Sequence, residues 1–222
     1  MHRGWDEVST GPYMDARKRL IGALAALSVA SAFASTPPPA LPFDGRLPWP
    51  HRSTRLPATD FVMGRFNLKL ERTTLADVKA AADRGAIEHQ GDAGGSVYWL
   101  CYSVPGARVW LASSEISGDH QAITEFDARP WRGAPDADCP SLPTRFQPLS
   151  IHGGLWLGAR ESAVRVALGT PSQVHGQWQS FNYEAMIPGQ CPPDGYDVMN
   201  WVMLRMKHSQ VIGLSAGQIT SC

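Results

Sequence analysis

Two stretches of the chain carry the same order of apolar and polar positions. In "TTLADVKAAADRG", Leu75, Val78, Ala81 and Ala82 recur at helical spacing, and the pattern stops at Gly85. Thr74 stands before it as an N-cap, with Asp77 three residues on to close a capping box. In "RESAVRVALG" the helical positions are Ala163, Val164, Ala167 and Leu168, and Gly169-x-Pro171 is the stop. Each stretch is followed by three short runs rich in aromatic and β-branched residues. These are "SVYWLCY" (96–102), "RVWLASSE" (108–115) and "QAITEFDA" (121–128) after the first. After the second come "WQSFNYE" (178–184), "NWVMLRMKH" (200–208) and "QVIGLSAGQI" (210–219). The pattern predicts an α+β fold: two tandem helix-plus-antiparallel-meander repeats that share one curved sheet, with the helices on one face.

Alternation within the strands assigns their faces. In "NWVMLRMKH", Val202, Leu204 and Met206 fall on one side, and Trp201, Met203, Arg205 and Lys207 on the other. In "RVWLASSE", Val109 and Leu111 point one way and Trp110, Ala112 and Ser114 the other. The first sets suit the helix-covered side. The second place Trp110 and Trp201 at matching positions on an open face, where Tyr102, Tyr183, Met203 and Arg205 would join them in holding a partner. The competing expectation is that these aromatics pack beneath the Pro-rich segments.

Those segments set the divisions of the chain. Residues 35–59 contain seven prolines and predict an extended arm, and residues 129–149 form a second Pro-rich stretch between the repeats, which span 60–128 and 150–222. Residues 1–34 read as a leader. Arg17, Lys18 and Arg19 precede the apolar run Leu20–Ala30, and Ala32-Phe33-Ala34 offers a cleavage site after Ala34. The leader is complete from Met14, so residues 1–13 are expected to lie ahead of the functional start. The apolar run falls short of the roughly 20 residues that span a bilayer, so no membrane insertion is expected after cleavage. A periplasmic or secreted location follows.

Beyond residue 34 the chain has 16 Lys and Arg against 17 Asp and Glu, a balance of −1, which argues against nucleic acid as a partner. Four cysteines, Cys101, Cys139, Cys191 and Cys222, suit two disulfides in an oxidising compartment, with three connectivities open. Each repeat has one cysteine in or after its first strand and one after its last. That favours Cys101–Cys139 and Cys191–Cys222.

"GARESAVRVALGTPSQVHGQWQSFNYE" resembles the Gly-rich helix, Gly-x-Pro and aromatic strand pattern of the BamE/SmpA-type assembly lipoproteins. The match falls on Gly158, Val164, Leu168, Gly169, Pro171 and Tyr183. The tandem arrangement is similar to the β-lactamase inhibitor protein family, and that likeness implies a concave sheet gripping a protein. Two features depart from the pattern: Ala159-Arg160 replaces the usual Ser/Thr, and no lipobox cysteine follows the leader.

Candidate chemistry is sparse. No nucleophile elbow, phosphate loop or H-E-x-x-H motif occurs, and the histidines lack ligand spacing, so neither metal nor cofactor is expected. Glu125 and Asp127 share one strand face near His120 and offer an acid–base pair, although two acids at that spacing ordinarily form a solvated face. Ser180 near His175 is a weaker arrangement. The sequence therefore predicts a non-enzymatic binding protein with a protein partner, and the resemblance implies an inhibitor-like form. Cell-wall glycan binding, an envelope structural role and a weak hydrolase are the alternatives.

Overall fold

A computed structural model describes residues 36–41, 52–57, 61–92, 95–188 and 195–221. Three hairpins establish the sheet. β4 (Val97–Val104) turns through Pro105 and Gly106 into β5 (Ala107–Ser114). β9 (Trp178–Ile187) returns as β10 (Tyr196–Lys207), and β10 as β11 (Gln210–Ser221). The last turn is made by His208 and Ser209 with φ of 50° and 56°. Two successive left-handed residues form the type I′ geometry that matches the twist of the flanking strands.

With β3 (Glu88–Gln90), β6 (Glu125–Pro130) and β8 (Gln173–His175), these strands form one eight-stranded antiparallel sheet in the order β3-β4-β5-β6-β11-β10-β9-β8. β6 and β11 pair at four positions, from Glu125↔Gly217 to Ala128↔Leu214, and this seam joins the first half of the sheet to the second.

The predicted α+β repeat does not form. The described residues are mostly β, and the two α-helices among them, α1 (Leu75–Ala82) and α2 (Glu161–Leu168), have eight residues each. Neither half is a helix packed on its own three-strand meander. Each contributes four strands, the longest being eight residues in the first half and twelve in the second. α2 buries only Val164, while Ala163 lies exposed. A second, three-stranded sheet was not anticipated: β2 (Phe66–Leu68), β1 (Phe61–Met63) and β7 (Leu149–Ser150). The main core spans both halves, so they are not separate packing units. It runs from Phe61, Leu75 and Val78 through Leu100, Val109 and Phe126 to Val164, Val202 and Leu214.

α1 begins as its sequence demands. Thr74 Oγ1 accepts from the Asp77 amide at 3.0 Å, and an Asp77 carboxylate oxygen accepts from the Thr74 amide at 2.9 Å. It ends at Asp83, left-handed at φ 56°, ahead of the expected Gly85. α2 stops at Gly169, with φ of 78°, as predicted. Cys101 and Cys139 are bonded; the other expected disulfide, Cys191–Cys222, lies outside the described residues.

Candidate functional site

The two helices and the small sheet share their core with one face of the large sheet. Among the described residues neither α-helix lies over the opposite face, and cross-strand register shows what that face presents. Side chains directly opposite one another share a face. One row runs Cys101, Trp110, Asp127, Ser215, Met203, Ser180, and the next runs Trp99, Ala112, Glu125, Gly217, Trp201, Asn182. On the third row Ser103, Arg108 and Arg129 lie across β4–β6, and Arg205 and Trp178 across β10–β9.

Trp110, Trp201, Met203 and Arg205 thus share this face, as the alternation predicted. Tyr102 and Tyr183 do not. Tyr102 sits opposite Val109 in the main core, where its hydroxyl donates to the Arg84 carbonyl at 2.9 Å and burial raises its pKa to about 12. Tyr183 has the parity of the core residue Phe181 and faces the same way.

Nor do the tryptophans stand out in water. Trp110 is 6% exposed, Trp201 8% and Met203 6%; of the predicted contact residues on this face, only Arg205 is exposed. Over the first half, Trp99, Cys101, Trp110, Ala112 and Cys139 make a second small core. The Pro-rich linker comes back over the sheet to supply part of it. The Ser103 amide donates to the Pro140 carbonyl, Leu142 donates to Ser103, and the Arg108 guanidinium pairs with Asp136 and stacks on Trp131 at 3.8 Å. The arm supplies the rest: the Trp110 indole N–H donates to the backbone carbonyl of Thr36 at 3.2 Å. Over the second half, Trp201 leans across Gly217, where an added Cβ would come within 2.2 Å of the ring. Gly217 is the clearance that lets the indole lie flat.

At the seam lie the two carboxylates. Asp127 is 1% exposed and Glu125 half-buried, so they do not form the solvated face that their spacing suggested. Arg129 pairs with Asp127 at 3.0 Å, donates to the Leu214 carbonyl at 2.6 Å and lies over the Trp178 ring at 5.1 Å. The Ser215 hydroxyl donates to Glu125 at 3.2 Å. Burial raises the pKa of both acids, Asp127 well above the ordinary carboxylate range because the Glu125 charge adds to it. Burial also lowers that of Arg129. Both shifts favour the protonated form of these acids, and the Arg129 charge opposes them. The oxygens of Asp127 are sealed from solvent, which leaves no opening through which that carboxyl could reach a substrate.

Sequence reasoning passed over Trp99 and Asn182. Both face this side, and Trp99 could have been placed by its parity with Cys101. Asn182 needed the β9–β10 register, which no local signal supplies. Among the described residues, the indole N–H groups of Trp99 and Trp201 and the side-chain amide of Asn182 are buried without a hydrogen-bond acceptor. At the outer margin Met186 and Arg205 are exposed, while Trp178 and Glu184 are half-buried and Glu184 pairs with Arg52 at 2.9 Å. Trp178, Glu184 and Met186 lie along this margin on β9, with Met186 55% exposed, and the Arg205 guanidinium donates to Gln177 at 3.1 Å.

No protein-family model matches the chain, the BamE/SmpA type included, and no curated protein matches it. A solved structure from Streptococcus mutans, described as a "putative beta-lactamase inhibitor protein", matches over 71% of this chain and 84% of its own, at 7% identity and a TM-score of 0.23. A likeness of that size settles neither the fold nor the function of this chain.

Proposed function

We propose that this chain is a non-enzymatic binding protein, exported to an oxidising compartment, that holds a protein partner on the helix-free face of its large sheet. The contact surface lies along the open margin of β9 and β10 rather than on Trp110 and Met203, which are already covered. The observation that carries the reading is the composition of that margin. Trp178, Met186 and Arg205 stand on one face of two paired strands, with Met186 and Arg205 exposed. Aromatic, methionine and arginine side chains are the types enriched where proteins bury surface against each other. The Cys101–Cys139 disulfide supports export, because such bonds persist in oxidising compartments. The sealed Asp127 argues against the hydrolase alternative.

Partner capture by the unsubstituted chain and by an Arg205→Glu, Met186→Asp variant tests the surface. Both residues are exposed, so the variant is expected to keep its circular dichroism and melting point and to lose at least tenfold in affinity. Equal capture by the two chains would place the partner elsewhere.

A further inference from the structure

The contact between Thr36 and Trp110 has a chemistry of its own. Thr36 is followed by Pro37, Pro38 and Pro39, so its carbonyl belongs to a tertiary amide. Each residue from Thr36 to Pro38 precedes a proline and is pushed to extended geometry, while each proline fixes its own φ. Such a run is a polyproline II helix by covalent constraint. It makes no internal hydrogen bonds, so its carbonyls are free to accept from outside. Trp110 supplies a donor at 3.2 Å, and Pro38 and Pro39 are half-buried while Pro37, Ala40 and Leu41 stay exposed. A second indole, Trp99, lies in the same cluster with its N–H lacking an acceptor among the described residues. Aromatic side chains that offer ring faces and a donor to a preformed, low-entropy helix are the physical basis of proline-rich recognition.

We infer that the Trp110 cluster is a reading site for proline-rich extended segments, engaged in this structure by the Thr36 carbonyl at the head of the Pro37–Pro39 run of the same chain and open to a partner's proline-rich segment when the arm leaves. The inference rests on the helix-free face being a binding surface, and it names the ligand class for the first half of that face. Occupation in cis sets a threshold. A tethered segment acts at an effective concentration of about millimolar, so an outside segment must bind tightly enough to displace it.

The test uses the full chain and a variant with Pro37, Pro38 and Pro39 replaced by glycine, which keeps Trp110 and the strands that carry it while removing the constrained occupant. The probes are decaproline and, as control, a ten-residue Gly-Ser peptide. The readouts are the Trp110 indole N–H resonance and a fluorescence titration. Decaproline is expected to shift that resonance in the glycine variant and to bind it at least tenfold more tightly than the unsubstituted chain. Trp110→Phe in the same background should weaken binding about tenfold by removing the donor while keeping a ring. No shift with decaproline in the glycine variant, or equal binding of the Gly-Ser peptide, overturns the inference. Partner capture that depends on Arg205 and Met186 while decaproline stays silent would sink the proline site alone. Decaproline binding with capture indifferent to those two residues would sink the margin proposal instead.

Discussion

Glu125 and Asp127 show how much a residue's meaning depends on what covers it. On an open strand they would be two solvated acids; at the β6–β11 seam they share a face with Ser215 and Gly217 and are withdrawn from solvent. Both pKa values are raised by burial, so above the ordinary carboxylate range the folded chain binds more protons than the unfolded one. Their contribution to stability is then fully present at pH below about 4 and is lost as pH rises through the folded-state values. Asp127→Asn removes the charge from this pair. Thermal melts from pH 4 to pH 8 are expected to show the unsubstituted chain losing stability relative to the variant as pH rises. A constant difference between the two chains would mean that the pair is fully ionised.

Elements were legible where their punctuation is local. The reciprocal Thr74–Asp77 hydrogen bonds begin α1 and Gly169 ends α2, and both can be read from a few adjacent residues. Thr74→Ala should cost about 1 kcal/mol, seen as a lower urea midpoint with an unchanged slope. A change below a few tenths would show that tertiary contacts, not the cap, hold the helix end. The small sheet had no such signal. Its strands are two or three residues long, and β7 meets β1 only after more than eighty residues of intervening chain. Tyr102 went to the wrong face for a related reason. Its side is set by the β4–β5 register, which pairs Trp110 with Cys101 and Tyr102 with Val109. The Cys101–Cys139 bond ties the linker onto β4 across a separation of 38 residues. In the chain-entropy model its removal costs about 4 kcal/mol. Denaturation of a Cys101→Ser, Cys139→Ser variant checks this, and an unshifted midpoint would show that the linker holds β4 without the bond.

At the scale of the molecule, helices and a small sheet crowd one side of an eight-stranded sheet, and extended chain serves the other. The sequence anticipated the apolar parity of the strands and even the possibility of a proline-rich cover. It could not show that the two halves fuse at β6–β11 over one core, because that pairing is non-local. Nor could it show that Trp110 and Trp201 would be buried while Met186 and Arg205 stayed exposed. The most direct test of the binding surface is hydroxyl-radical footprinting of the protein with its captured partner. Trp178 and Met186 are expected to be protected, while Val166 on α2, 89% exposed on the helical side, stays as reactive as in the free chain. Protection of Val166 with Trp178 and Met186 unchanged would contradict the account.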